Sequence, residues 1–388
     1  MRLIGTTAMG IRLPIISAGD DLIEIVADHV LLVTKTDPLR PSDVVAVTES
    51  MVAKSENNFA TKQDIADDVR AKFGDAEVGL VYPMFSRNRF YNVLAGISAG
   101  VKKLHVLLSY PYDEVGNPIM DINRLDEIMD VLPGGMVTDM EFKAAAGDYI
   151  HPFTGVDYLK LYKEAGDNIE IYLSNDPRDI LKLTPHVLVG EIHNRFITQK
   201  RLLKYGAKTV YTLSDILSES INGSGYNPEY GVLGHNLSAN GAVKLFPSRA
   251  PEFAALLQAR LKEKTGVAPE VLVYGDGAFK DPVCGIWELA DPVVSPGYTK
   301  RLGGMPDEIK IKFAADTMTG DLTSEEKQLA VIEMIKNKAD NPDAFREGTT
   351  PRVYADLLGS LCDLVGGSGD KGTPVVLVRG YFDDYTVE

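Results

Sequence analysis

The sequence predicts an α/β protein: a mixed α+β core interrupted by an inserted, doubly wound α/β unit. Three observations carry this reading. The chain has 388 residues, beyond the roughly 250–300 at which single hydrophobic cores stop growing. From about 76 to 220, apolar runs of strand length alternate with helical stretches, the pattern of a parallel sheet. Short β-branched runs near 44–47, 271–274 and 375–378 flank that block, so the core draws on both ends of the chain (1–75 and 221–388) around the insertion (76–220).

Each element has a local cause. Asp20 or Asp21 can cap a helix carrying Leu22, Ile23, Ile25 and Val26, with Gly19 easing entry. Val44-Val45-Ala46-Val47 reads as a short buried strand, and Ile65, Val69 and Phe73 have helical spacing. Within the insertion, strands are expected at 78–82, 104–108, 169–173, 186–189 and 209–213, with helices at 89–99, 125–131, 158–165 and 196–205. An Asn/Gly/Ser/Pro-rich link at 222–228 closes it. A helix over 251–264 and a strand over 271–274 follow. Thr323-Ser324-Glu325-Glu326 is a capping box for a helix to about 338, and a helix over 353–364 precedes the terminal loop and strand.

Composition narrows the function classes. Apolar residues make up 45% and charged residues 24%, ordinary for a globular protein. A formal net charge of −15 argues against nucleic acid or an anionic membrane surface as partner. It leaves a nucleotide substrate open, because divalent cations bridge acidic side chains to phosphates. Cys284 and Cys362 are the two cysteines, with no CxxC, so neither a disulfide framework nor a zinc cluster is expected. No apolar run of 18 or more occurs and Pro14 interrupts the start, which reads as cytoplasmic.

The clearest chemical signal is the loop Gly366-Gly367-Ser368-Gly369-Asp370-Lys371-Gly372-Thr373-Pro374, followed by Val375-Val376-Leu377-Val378-Arg379-Gly380. Four glycines line up backbone N–H groups with no side chains in the way, a geometry for phosphate oxygens. Asp370 adds a carboxylate for a metal and Lys371 an ammonium; a plain glycine turn is the competing reading. Asp276 ends an apolar strand between Gly275 and Gly277, where it can reach a cation and its phosphate or simply form an Asp-Gly turn. Asn236 and Asn240 flank Ser238 in a polar loop that offers amide groups to a cation or phosphate, or to solvent. Lys54, seven residues past Val47, can place a point charge on a phosphate with Ser50 and Glu49 nearby; a solvated lysine is the commoner case. The six histidines (His29, His105, His151, His186, His193, His235) have no metal spacing and take no catalytic role, although His193 just past a strand with Glu191 hints at binding within the insertion. The GxxxxGK[ST] and GxSxG fingerprints are absent, and no GxGxxG occurs in a strand–helix context.

The order of these pieces resembles the coenzyme F-420-0: L-glutamate ligase (gamma-glutamyl ligase) family, in a long form. The N-terminal pattern is met by Leu13-Pro14-Ile15-Ile16, Gly19-Asp20-Asp21-Leu22, Asp43-Val44-Val45 and Ala53-Lys54-Ser55-Glu56, and the C-terminal one by Gly366 through Gly380. The likeness covers about 10–75 and 228–380. It implies that Leu13, Pro14, Ile15, Ile16, Glu49, Ser50, Lys54, Asn240 and the loop Gly366–Gly372 bind GTP. It also implies that Asp276, Asn236 and Asp370 hold magnesium or manganese, with Lys54 and Asp276 catalytic. The family's metal loop has an aspartate where this chain has Asn236, and Gly275-Asp276-Gly277 is shifted by about one residue from its second metal turn.

The implied reaction joins L-glutamate to a carboxylate-bearing cofactor through an acyl phosphate, in a homodimer. A folate or pterin acceptor is the alternative within that chemistry. A non-catalytic nucleotide-binding regulator on the same fold, or an independent activity in the insertion, are the alternatives outside it.

Overall fold

The structure is a computed structural model describing residues 3–85, 90–114, 116–132, 134–152, 154–275, 278–280, 287–289, 294–318, 322–338, 352–367 and 369–387. The chain opens with β1 (Thr7–Ile11), α1 (Leu22–Val33), β2 (Val44–Thr48), α2 (Glu49–Ser55), β3 (Phe59–Ala60) and α3 (Lys62–Phe73). Next come β4 (Glu77–Val81), α4 (Phe90–Ala99), β5 (Lys103–Leu108), α5 (Leu125–Val131), β6 (Val137–Thr138), α6 (Asp139–Ala146) and α7 (Tyr158–Lys163). β7 (Ile169–Leu173), β8 (His186–Val189), α8 (Arg195–Lys204) and β9 (Thr209–Thr212) complete the middle of the chain. The return half holds β10 (His235–Leu237), β11 (Val243–Leu245), α9 (Ala250–Thr265), β12 (Glu270–Tyr274), β13 (Ala278–Lys280), β14 (Trp287–Leu289) and β15 (Gly297–Tyr298). It ends with α10 (Ile311–Thr317), α11 (Ser324–Lys336), α12 (Tyr354–Val365) and β16 (Val375–Arg379).

The core sheet has the order β1-β16-β2-β12-β15. Its central strands are buried on both faces, hence their unbroken apolar runs. The period of two divides them: Val45, Val47, Val271, Val273, Val375 and Leu377 pack on α1 and α9, and Val44, Ala46, Leu272, Tyr274, Val376 and Val378 pack on α12. Asp21, of the two candidate caps, accepts the Glu24 N–H at 3.0 Å and starts α1. The capping box at Thr323 forms as its sequence predicts.

At one end of this sheet, Arg379 closes over the fully buried Asp43 (Nε to Oδ2, 3.6 Å) and donates to the Asp37 carbonyl at 2.7 Å. Burial pushes the Asp43 carboxyl up despite the guanidinium. Arg379→Ala strands that carboxylate and should cost about 3 kcal/mol in urea unfolding. A loss within the range of an exposed ion pair, under about 1 kcal/mol, would contradict the assignment.

The second sheet runs β6-β7-β5-β4-β8-β9, parallel except for β6. Helices α3, α4 and α7 cover one face, and α8 with the 177–182 turn covers the other, as a doubly wound sheet requires. One expected boundary moves. Helix α3, placed by the sequence with the N-terminal unit, packs on α4, and Ile65, Val69 and Phe73 join the β4–β5–β7 core. The cause is the close α3–α4 crossing: a Cβ on Gly96 would lie 2.8 Å from Ile65, and one on Gly100 would lie 2.7 Å from the Ala66 carbonyl. Val232, Leu233, Val243 and Leu245 join the same cluster, so by packing the α/β unit spans about 60 to 245. A small sheet, β10-β11-β3, links the two halves. Among the described residues no helix is long and apolar enough to cross a membrane.

Candidate functional site

Strand register places four sequence-predicted segments at one end of the core sheet. β2 and β12 are parallel with Thr48 opposite Tyr274, so both C-termini emerge together. β16 is antiparallel to β2, with Val375 opposite Val47, and β1 is antiparallel to β16, with Ile11 opposite Val375. The loop before β16, the segment after β1, the helix after β2 and the turn after β12 therefore share that end. These carry Gly366–Gly372, Leu13–Ile16, Glu49–Lys54 and Gly275, respectively. Asp276, Ser368 and the Asn240 side chain lie outside the described residues.

The glycine loop is a closed hairpin. Gly367 and Thr373 exchange backbone hydrogen bonds of 3.1 and 3.0 Å, and the Gly372 N–H donates to the Gly369 carbonyl at 3.0 Å. Those amides serve the loop, which leaves Gly369, Asp370 and Lys371 at its tip. Gly367 and Gly372 have φ of +131° and +62°, in the region that favours glycine. Arg12 Nε tethers the tip to β1 by donating to the Lys371 carbonyl at 3.3 Å. At the base, the Thr48 N–H donates to the Pro374 carbonyl at 3.0 Å.

Glu49 begins α2 as a buried carboxylate, with the Thr48 hydroxyl donating to it at 2.8 Å. Its charge reaches Tyr274, whose phenol is held far above its usual range, mainly by burial. Tyr274 thus keeps its proton, and stands at the base of the glycine loop. Ser50 and Lys54 are four residues apart on α2 and share a helix face. Ser50 also accepts a hydrogen bond from the Lys244 ammonium.

Lys244 lies opposite both Asn236 and Phe59 across the small sheet, so these three side chains share one face. The arrangement thus brings Lys244 to Ser50, next along the helix from Lys54. A single charged residue between buried Val243 and Leu245 was its sequence signal, but that pattern equally describes a solvated lysine. Ile16 is buried among α1 and α9 residues, so only its backbone can meet a ligand, whereas Ile15 is exposed. Asp370 and Lys371 are exposed at the loop tip.

The donors suit a hard cation in kind, since Glu49 and Asn236 offer oxygens. Among the described residues no three His, Cys, Asp or Glu side chains gather closely enough to hold a metal. Lys244 opposite Asn236 further favours an anion at that point, since an ammonium repels a cation.

No curated protein matches the chain. The family described as F420-0:Gamma-glutamyl ligase matches residues 10–380, a span that includes every segment at the shared sheet end. On a match over nearly the whole length, the chain belongs to the F420-0:gamma-glutamyl ligase family.

Proposed function

We propose that the protein uses GTP and a divalent cation to attach L-glutamate to a coenzyme F420-0-like carboxylate through an acyl phosphate. Family membership makes it an enzyme that forms gamma-glutamyl bonds, with glutamate and an F420-type molecule as substrates. The observation that supports the finer reading is the meeting of the glycine hairpin, α2 and the end of β12 at one sheet edge.

In this reading the tip amides of Gly369, Asp370 and Lys371 bind the triphosphate, and Lys54 and Lys244 neutralise charge on the transferred phosphoryl group. Ser50 fixes Lys244 in place. The acceptor carboxylate attacks the γ-phosphorus and GDP leaves. The glutamate amine then attacks the acyl carbon, inorganic phosphate departs, and the amine loses its proton. Magnesium or manganese would screen the phosphate oxygens, held by Glu49, Asp276 and Asp370, with Asn236 at the margin beside Lys244.

Purified protein incubated with GTP, manganese or magnesium, L-glutamate and F420-0 should release one GDP per glutamyl bond, scored by mass spectrometry. EDTA should abolish the product, and ATP should replace GTP poorly. No glutamylated product with F420-0, nor with a folate offered in its place, would overturn the proposal.

A further inference from the structure

The α/β unit has a topological switch point of its own. Strand order β7-β5-β4-β8-β9 steps outward from β4 in one direction and then returns to its other side at β8. The β4/β8 boundary is therefore a topological switch point, where diverging connections open a cleft beyond the strand C-termini. The chain is drawn tight there: the Gly190 N–H donates to the Val81 carbonyl at 2.7 Å, and a Cβ on Gly190 would lie 2.8 Å from Pro83 Cα. Tyr82, the residue after β4, has φ +52°, an uncommon conformation for a side chain of that size.

A carboxylate already sits in this crevice. Glu114, from the loop after β5, accepts from the Ile192 N–H and the His193 N–H, one to each oxygen. Two adjacent amides gripping two oxygens is how backbone recognises a free carboxylate. The natural third partner stands beside them and acts on Glu114 through its charge alone. Arg195 donates Nη1 to the Ile192 carbonyl, while its Nε is buried and has no partner among the described residues. Glu114 therefore occupies the amides without a hydrogen-bonded cation, and burial pushes its carboxyl up to about 8. It is a poor anion for the seat it fills.

We propose that this crevice is a second binding site, for a small carboxylate ligand, and that Glu114 occupies the ligand's seat when none is bound. The incoming carboxylate takes the Ile192 and His193 amides and draws the Arg195 guanidinium onto itself, displacing Glu114. Beside Arg195, Tyr230 packs edge-on against Phe246 (centroids 5.8 Å), which follows the Lys244 strand.

The test is calorimetric titration of the full chain with acetate and, separately, with L-glutamate. Glu114→Ala should bind the carboxylate at least tenfold more tightly than the unaltered protein, with the Ile192 and His193 amide resonances shifting on addition. Adding Arg195→Met to that variant should return affinity to the starting level. A response to acetate and glutamate alike identifies a simple carboxylate seat; a response to glutamate only identifies an amino-acid seat. Where Glu114→Ala does not fold, Glu114→Gln keeps the volume without the charge and should show the same order. Equal affinity in variant and unaltered protein, or tighter binding indifferent to Arg195, overturns the proposal.

Discussion

Lys54→Met should lower turnover by about 100-fold or more while leaving thermal stability near its starting value. Lys54 is half-buried on the last turn of α2, and its ammonium has neither a hydrogen-bond nor an ion-pair partner among the described residues. Removing it therefore breaks no hydrogen bond or ion pair of that ammonium among the described residues. What it removes is charge that acts on the phosphoryl group, so kcat and kcat/KM should fall together while KM for GTP moves little. Lys54→Arg should recover only part of the loss, because a planar fork does not reproduce a compact point charge. Ser50→Ala gives a graded companion by removing one hydrogen bond to the Lys244 ammonium. Turnover of Lys54→Met within threefold of the parent enzyme would remove α2 from the chemistry.

Gly366→Ala should destabilise the protein by about 1–3 kcal/mol and sharply weaken GTP binding at the same time. An added Cβ would stand 2.5 Å from the Tyr274 hydroxyl, 2.9 Å from the Thr373 carbonyl and 3.0 Å from the Cys362 carbonyl. Two of those neighbours are backbone, so relief requires moving the hairpin itself. Tyr274→Phe in the same chain should restore part of the stability by removing the nearest atom, yet leave nucleotide affinity low because the carbonyl contacts persist. Thermal unfolding read beside GTP titration separates the two effects. Stability loss with unchanged GTP affinity would show that the hairpin is a structural turn.

Much of the chain was legible because burial leaves local traces. Strands 169–173 and 186–189 and the helix 125–131 have the expected limits; each of the two strands is a short, largely apolar run bounded by turn residues. The terminal glycines announced a special backbone, and two of them adopt positive φ. Helix α3 was misplaced because its apolar stripe states that it packs, without stating on which sheet. Lys244 and Arg12 went unread for a related reason: each is ordinary in its own segment, and its role exists only through a partner 194 or 359 residues away.

The amino-acid order by itself determined which segments become strands and helices, where the backbone must be glycine, and which family the motifs resemble. Those properties follow from side-chain periodicity and local steric freedom, which need no distant partner. Tertiary structure decided that four remote segments emerge at one sheet end, that Lys244 reaches Ser50, and that Glu114 rests on the amides of Ile192 and His193. Strand pairing and layer packing set those meetings, and the free energy that selects them belongs to the assembled core rather than to any stretch of sequence.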